Sequence, residues 1–312
     1  MSEQRDRHSE DQAVRSFMVD SVEGQHQAFR QWGLPVTRVM ILYNACAFRC
    51  FFCASAGTTF RDSEDRTGWD AIVQHLGPAK PEEEGRLILA GNEPLLHPDF
   101  ERTIALASRQ GFHNIQLMTS GNLLGDEASL KRWVAAGLRS VAVPIYSATP
   151  ALHDEIVGET AHQALLKALD MAHSMGINVH VHTLALRRTA GELLALAELT
   201  EQRWGTHLSI APIREKEGQF DWAAEALGLP EFNRMLADFP AEAPICLVGF
   251  PTCVGRGRPR AAADTVSVYF MTQARRFASV CEGCEDRPGC PGLVEAYYRH
   301  TGHEGLMPTV IS

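Results

Sequence analysis

Apolar and polar positions along this chain follow the pattern of strands separated by helices. Residues 36–42 alternate and are rich in β-branched and aliphatic side chains, which predicts a first strand. Similar runs predict five more strands, over 86–90, 114–119, 139–146, 178–185 and 207–213. Helical periodicity predicts helices in several of the intervals, over 98–110, 126–135, 161–175 and 189–203, and a first helix near 21–31.

This alternation predicts the fold class. Parallel strands need crossover connections, so strands that alternate with helices favour an α/β fold built on one parallel sheet. After about residue 214, Gly, Pro and Cys become frequent and the periodic signals weaken. We therefore expect an N-terminal extension over 1–34 with a disordered start, a (β/α)6 core over 35–220 and a small cysteine-rich module over 221–312.

Composition narrows the class of protein. The 312 residues are 45% hydrophobic, enough for one large core with a small appended module. A net charge of -9 leaves no broad basic surface, so we expect no nucleic-acid partner. No run approaches the ~20 apolar residues of a membrane span, and the first residues lack a signal-peptide core. We therefore predict a cytoplasmic protein without a membrane partner.

The eight cysteines fall into two groups, which indicates two sites. Three of them lie within eight positions, on the loop after the first predicted strand: Cys46, Cys50 and Cys53. The other five follow after about 190 residues without cysteine: Cys246, Cys253, Cys281, Cys284 and Cys290. In a reducing compartment such thiols are metal ligands more often than disulfides. Structural zinc takes four ligands, whereas three thiolates suit a 4Fe-4S cluster with one iron left for an outside ligand.

The spacing Cys46-x3-Cys50-x2-Cys53, after the first strand of a β/α chain, resembles the radical S-adenosylmethionine (radical SAM) enzymes. In that family the open iron binds the amino and carboxylate groups of SAM, and an electron from the cluster splits SAM to a 5'-deoxyadenosyl radical. The resemblance implies a partial (β/α)6 TIM-like barrel, with SAM and a 4Fe-4S cluster as cofactors. It also implies a flavodoxin- or ferredoxin-type electron donor. Phe52 matches the aromatic residue whose backbone approaches the adenine in that family.

A second segment matches the part of the family that receives the SAM ammonium. Residues 87–98 read LILAGNEPLLHP, which resembles the family's strand-to-loop segment with its glutamate. The resemblance implies four SAM contacts there: Gly91, Asn92, Glu93 and Pro94. Asn92 stands where the family usually has a second glycine, and asparagine tolerates positive φ better than most residues.

The ends of later strands supply the remaining candidates for SAM and substrate. The stretch Thr119-Ser120-Gly121-Asn122 stands where the family often has Thr-Asn-Gly, with Ser120 as the candidate contact. Ser147, with Tyr146 beside it, matches the strand end that contacts the ribose hydroxyls. By the same resemblance, Arg214 reaches the SAM carboxylate. In the fifth strand, His180 and His182 share one face, which we expect to be the inner, substrate-facing one. The alternative is that both are ordinary hydrogen-bonded histidines of a packed strand.

The C-terminal cysteines resemble the twitch or SPASM-type extension that holds an auxiliary iron–sulfur cluster. The matching spacing is Cys281-x2-Cys284-x5-Cys290, with Cys246 as the lone upstream cysteine. Four thiolates would complete a second 4Fe-4S cluster, and structural zinc on the same ligands is the alternative. Cys253 is left over, and three uses stay open: an inert buried thiol, a replacement for Cys246 as fourth ligand, or a hydrogen-atom donor to a substrate radical.

The predicted function is that of a radical SAM oxidoreductase or tailoring enzyme. It would remove a hydrogen atom from a small-molecule or peptide substrate, namely a natural-product precursor such as a sugar, an aminocyclitol or a peptide. The auxiliary cluster would assist oxidation, epimerisation or bond formation. The alternative is a non-catalytic iron–sulfur or zinc protein that carries electrons or acts as a scaffold.

Overall fold

The computed structural model describes residues 21–31, 34–43, 45–53, 66–213, 221–259 and 275–309. Its main sheet has seven strands in chain order: β1 (Arg38–Tyr43), β2 (Arg86–Gly91), β3 (Asn114–Met118), β4 (Leu138–Pro144), β5 (Asn178–Leu184), β6 (Leu208–Ala211) and β7 (Ile245–Leu247). The pairings described between neighbouring strands are parallel. The predicted α/β class, with the parallel sheet of a partial TIM-like barrel, is therefore confirmed. The strand β7 was not predicted.

Helices alternate with these strands as the sequence pattern predicts. The described helices are α1 (Val22–Gln31), α2 (Trp69–Leu76), α3 (Phe100–Arg109), α4 (Glu127–Ala135), α5 (Pro150–Val157), α6 (His162–Ser174), α7 (Leu193–Trp204), α8 (Trp222–Glu225), α9 (Leu229–Asp238) and α10 (Glu295–Thr301). A short antiparallel pair, β8 (Arg275–Arg276) and β9 (Leu293–Val294), lies among the C-terminal cysteines. No helix in these described ranges is long and apolar enough to cross a membrane.

The chain divides into two compact units. The first comprises Met1–Ala47, Gly57–Val143 and Ala164–Val179, and the second comprises Phe48–Ala56, Pro144–Gln163 and His180–Ser312. The predicted boundaries at residues 34 and 220 stay predictions. The expected disorder at the start concerns residues 1–20, which lie outside the described ranges.

In the first unit, a buried ion pair joins β1 to the 3-10 turn Pro81–Glu83. Arg38 donates from Nε to Glu83 Oε1 at 2.7 Å and from Nη2 to Oε2 at 2.9 Å, and both side chains are almost fully buried. His26 of α1 contacts the same carboxylate at 2.7 Å. Buried charges are tolerated only when they are paired and hydrogen-bonded, and a bidentate arginine provides both. This cluster fixes α1 against the start of the sheet.

The side chain of Gln25 pairs with β1 along its backbone. Its Nε2 donates to the Val39 carbonyl oxygen at 2.9 Å, and its Oε1 accepts from the Val39 N–H at 2.9 Å. Further along the strand, Thr67 donates its N–H to the Leu42 carbonyl oxygen at 2.9 Å. Because backbone groups that are buried need partners, these side-chain and loop contacts satisfy backbone groups of Val39 and Leu42 that a further strand would otherwise pair.

In the second unit, aromatic rings anchor the segment that leads to the C-terminal cysteines. Phe250 stacks on Phe232 of α9 with ring centroids 4.7 Å apart, and its edge meets Tyr297 of α10 at 6.4 Å. Tyr297 is fully buried, and its hydroxyl donates to the Leu227 carbonyl oxygen. Burial raises the pKa of Tyr297, which keeps this hydroxyl protonated. The chain after Phe250 therefore starts from a fixed point in the core.

Candidate active site

Strand β2 ends at a glycine, Gly91, and the neighbouring backbone leaves no room for a side chain there. Gly91 has a φ of 135°, and a Cβ built on it would lie 2.3 Å from the carbonyl oxygen of Tyr43 on the neighbouring strand. Asn92 donates its backbone N–H to that same oxygen at 2.9 Å. The positive φ thus falls on Gly91, and Asn92 does not adopt one. These contacts fix the direction in which Glu93 leaves the strand.

The carboxylate of Glu93 is buried among hydrogen-bond donors that are all neutral within the described ranges. Its Oε1 accepts from the Leu95 N–H at 3.0 Å, and the Thr119 hydroxyl lies 2.8 Å from each of its oxygens. Its Oε2 accepts from the Ser120 N–H at 2.9 Å and from the Ser120 hydroxyl. Glu93 also caps the 3-10 turn that begins at Pro94. The structure thus brings the predicted SAM contacts Glu93, Pro94 and Ser120 together, and Thr119, which is part of the matched stretch but not a predicted contact, joins them.

A second buried carboxylate in the same unit shows what is unusual about Glu93. Both Glu83 and Glu93 are fully buried, but Glu83 is neutralised by Arg38. At Glu93, burial raises the pKa, while hydrogen bonds from Ser120 and Thr119 oppose the rise. A buried carboxylate that has donors but no cation among them is stabilised by a cationic ligand. The Glu93 pocket, defined by Glu93, Thr119 and Ser120, therefore has the electrostatics of an ammonium site.

In the second unit, the predicted adenine contact packs on a predicted ribose contact. Phe52 and Tyr146 are both buried, with ring centroids 5.0 Å apart at 71°. Phe51 meets Phe52 at 5.0 Å, and the Arg188 guanidinium lies 4.6 Å from the Phe51 ring centroid. Edge-to-face rings and a stacked guanidinium are favourable arrangements. The end of β4 and the loop that carries Cys50 and Cys53 are joined through these rings.

Ser147 lies in a small network with a carboxylate that sequence reasoning missed. Its hydroxyl contacts Glu192 Oε2, and the Thr149 hydroxyl donates to Glu192 Oε1 at 2.7 Å. Burial raises the pKa of Glu192, but hydrogen bonds from Ser147 and Thr149 lower it overall, so the carboxylate is ionised at neutral pH. A hydroxyl beside an ionised carboxylate can accept hydrogen bonds from a vicinal diol, as a ribose presents. Glu192 lies 45 residues from Ser147, so no local motif reveals the pair.

The histidines of β5 show the predicted alternation. Val179 and Val181 are buried, whereas His180 and His182 are half-buried. The backbone of Ile145, after β4, donates to the His182 carbonyl oxygen at 3.0 Å. Their predicted contact with substrate stays a prediction.

The first cysteine group lies on the loop that follows β1. Cys46, Cys50 and Cys53 are half-buried thiols. Cys50 and Cys53 form one turn, in which the Cys53 N–H donates to the Cys50 carbonyl oxygen at 3.0 Å. Nearby, the Arg49 N–H donates to the Val157 carbonyl oxygen at 2.8 Å, which holds the loop to the end of α5.

The family profile described as the Radical SAM superfamily matches residues 40–200, just over half of the 312 residues. This chain belongs to the radical SAM superfamily. Membership supports SAM and an iron–sulfur cluster as its cofactors. Among the predicted SAM contacts, Arg214 lies outside the described residues.

The relatives of this radical SAM chain include GTP 3',8-cyclases. A probable GTP 3',8-cyclase of Aeropyrum pernix is 30% identical over 179 residues, which are 54% of this chain and 49% of the relative. A GTP 3',8-cyclase of Haemophilus ducreyi is 27% identical over 188 residues, 56% of this chain and 50% of that protein. A GTP 3',8-cyclase of Tolumonas auensis is 26% identical over 242 residues, which are 70% of this chain and 68% of that protein. The chain therefore spans about half the length of the first two relatives.

Two solved structures share the fold of this chain. Native anSMEcpe with bound AdoMet and Kp18Cys peptide has a TM-score of 0.58 and 13% identity, and the match covers 87% of this chain and 92% of that one. Streptococcus suis SuiB bound to S-adenosylmethionine has a TM-score of 0.54 and 13% identity, over 82% of this chain and 57% of SuiB. At this identity the likeness concerns the fold alone.

The donor set of the first group fits the cofactor of a radical SAM enzyme. Within the described ranges, no group of three or more His, Cys, Asp or Glu side chains surrounds a single-ion position. An iron–sulfur cluster takes one thiolate per iron, so its ligands are not gathered on one ion. Half-buried thiols on one loop are donors of the kind that such a cluster takes.

The second cysteine group is arranged around a pocket in the second unit. Four thiols line it, and they are Cys253, Cys281, Cys284 and Cys290. The predicted fourth ligand, Cys246, lies on β7 instead, with its Sγ 3.2 Å from the Ser209 hydroxyl of β6. The predicted triplet of the extension is therefore brought together, and the thiol that joins it is Cys253.

Proposed function

We propose that this protein is a radical SAM enzyme that cleaves SAM reductively and removes a hydrogen atom from its substrate. The observation that carries the proposal is the Glu93 pocket, a fully buried carboxylate with neutral donors. The α-ammonium of SAM would supply the positive charge that Arg38 supplies to Glu83. Cys46, Cys50 and Cys53 would hold the cluster, which would supply the electron that splits SAM into methionine and the 5'-deoxyadenosyl radical.

The protein's own residues would orient SAM and exclude water. Glu93 would hold the ammonium, and Ser147 with Glu192 would accept hydrogen bonds from the ribose hydroxyls. The buried rings of Phe52 and Tyr146 would shield the adenosyl group from solvent. Fixing the reactive carbon near a substrate C–H bond in a dry site is the protein's share of the reaction. A flavodoxin- or ferredoxin-type protein would supply the electrons.

For the substrate, we propose a natural-product precursor, either a small molecule such as a sugar or aminocyclitol, or a peptide. Its hydrogen atom would pass to the radical to give 5'-deoxyadenosine, and the substrate radical would proceed to oxidation, epimerisation or bond formation. The 3-10 turn that ends at Glu192 begins with two arginines that already have acidic partners: Arg187 pairs with Glu231, and Arg188 pairs with Glu225. Arginines that are paired in this way are less available to a triphosphate, which favours a substrate of low charge.

A second candidate is the reaction named by the relatives, the cyclisation of GTP. It is favoured by identities of 26–30% to GTP 3',8-cyclases. The two candidates differ in the substrate that loses its hydrogen atom. Incubation with SAM, reductant and uniformly deuterated GTP separates them, because only a GTP cyclase transfers deuterium into 5'-deoxyadenosine.

The cleavage of SAM itself is tested after anaerobic reconstitution with iron and sulfide. We expect 5'-deoxyadenosine under a strong reductant, detected by chromatography with mass spectrometry, and none from a Cys50→Ala variant. A reconstituted protein that contains its cluster but neither binds nor cleaves SAM would refute the proposal and favour a non-catalytic iron–sulfur protein.

A further inference from the structure

The pocket of the second cysteine group contains one thiol more than its sequence motif requires. Cys281, Cys284 and Cys290 belong to the motif, whereas Cys253 comes from a separate segment. The rest of the lining combines apolar side chains such as Phe277 with the charged Arg276, Asp286 and Arg287. Four thiols that line one pocket are the donor set of an iron–sulfur cluster.

Successive tight turns carry the three motif thiols. The Cys284 N–H donates to the Cys281 carbonyl oxygen at 3.2 Å, and the Arg287 N–H donates to the Cys284 carbonyl oxygen at 3.2 Å. The Cys290 N–H then donates to the Arg287 carbonyl oxygen at 3.3 Å. These turns keep the segment compact, and thiols that are three and six positions apart line the same pocket.

Cys253 is delivered to this pocket by a turn of its own. Phe250 is anchored in the core by Phe232, and the Val254 N–H donates to the Pro251 carbonyl oxygen at 3.0 Å. The Cys253 side chain is buried at the pocket wall. Its position thus follows from the core packing and not from the motif.

Two backbone N–H groups are directed at the sulfur of Cys290. Thr252 donates to Cys290 Sγ at 3.3 Å, and Gly292 donates to it at 3.4 Å. Hydrogen bonds to cysteine sulfur stabilise negative charge on a cluster and help to set its potential. Because Thr252 directly precedes Cys253, the same contact ties the Cys253 turn to a motif ligand.

Cys246 has a different environment. It is buried on β7 beside its register partner Ser209, and its Sγ is paired with the Ser209 hydroxyl. A buried thiol of this kind behaves as a small hydrophobic residue with a weak polar contact. Cys246 is absent from the lining of the pocket as described.

We propose that Cys253, Cys281, Cys284 and Cys290 form a four-thiolate site for an auxiliary iron–sulfur cluster, and that Cys246 is not a ligand. With one thiolate per iron, such a cluster leaves no iron open. It would therefore act on the substrate only through electron transfer or through contacts of the protein around it. The inference concerns a second site and does not depend on SAM cleavage at the first.

The test uses a chain from which the first cluster has been removed by replacing Cys46, Cys50 and Cys53 with alanine. After anaerobic reconstitution we expect about four irons per chain and the absorption of a 4Fe-4S cluster. Adding Cys253→Ala leaves three thiolates and one open iron, so we expect most of the iron to be lost to a chelator that leaves the parent cluster intact. Adding the matched control Cys246→Ala should leave the iron content unchanged under the same chelator. Circular dichroism of each variant checks that the fold is retained.

A second measurement uses the wild-type chain and so does not depend on how a variant folds. Thiol alkylation followed by mass spectrometry should show Cys253 and Cys290 protected in the reconstituted protein and labelled together after chelation of the iron. Equal labelling of Cys253 in both states would overturn the proposal. So would iron that is lost with Cys246→Ala and kept with Cys253→Ala, or one zinc per chain in place of iron.

Discussion

The substitution Glu93→Gln should weaken SAM binding while keeping the shape of the pocket. The side chain is fully buried, so solvent screens its charge little. A hydrogen bond to a charged group contributes about 1.5–3 kcal/mol. Losing the charge should therefore raise the Kd for SAM roughly 10- to 150-fold. Isothermal titration of the anaerobically reconstituted protein measures this change.

Two controls isolate the charge as the cause. Glu84 is exposed and pairs with Arg86 on the surface, so Glu84→Gln should leave the Kd unchanged. A SAM fragment without the amino-acid portion, 5'-methylthioadenosine, should bind wild type and Glu93→Gln equally. If Glu93→Gln binds SAM within twofold of wild type, the Glu93 pocket is not the ammonium site.

The same variant should change the pH dependence of stability. Burial raises the pKa of Glu93, so the stabilising contribution of its protonated form is complete below the unfolded pKa of about 4.3 and is lost as the pH rises through the folded pKa. Glutamine does not titrate. In the absence of SAM, we therefore expect the Tm of wild type to fall more than the Tm of Glu93→Gln as the pH is raised through the folded pKa of Glu93. If differential scanning fluorimetry shows the same pH dependence of Tm for both proteins, Glu93 does not titrate with a raised pKa in the folded state.

Three further outcomes follow from contacts described above. Gly91→Ala places a Cβ 2.3 Å from the Tyr43 carbonyl oxygen, so urea unfolding should show a loss of about 3 kcal/mol. Glu83→Gln leaves the guanidinium of Arg38 without its charge partner, and its free energy of unfolding should fall by about 3–5 kcal/mol. Arg275 is half-buried, and its charge interacts with Cys290. Arg275→Met should therefore lower the reduction potential of the proposed auxiliary cluster in a redox titration of the chain without the first cluster; an unchanged potential would exclude that charge effect.

The strands of the sheet could be predicted because they are buried and apolar over most of their length. The unpredicted β7 spans only Ile245–Leu247, too short for a periodic signal to separate it from a loop. Helix α2 (Trp69–Leu76) was also missed, since its eight residues give little more than two turns of pattern.

Contacts of the candidate site could be predicted where the residues are close in sequence, and were missed where they are distant. Glu93 stands in a local motif, but Thr119 lies 26 residues from it. The pairing of Ser147 with Glu192 likewise depends on how the strands and turns pack. Spacing in the sequence does not show which of Cys246 and Cys253 lies beside the other C-terminal cysteines. That depends on the fold, in which the N–H of Thr252, directly before Cys253, donates to Cys290 Sγ.

The carboxamide of Gln25 has a consequence for solubility. It meets the N–H and the carbonyl oxygen of Val39 as the backbone of an adjacent strand would, and β1 stands at one end of the strand order. An uncovered strand edge is a template for pairing with another molecule. The helix that carries Gln25 therefore protects the sheet from self-association, and shortened forms of the protein that begin after residue 31 should aggregate even though every ligand of both proposed clusters is retained.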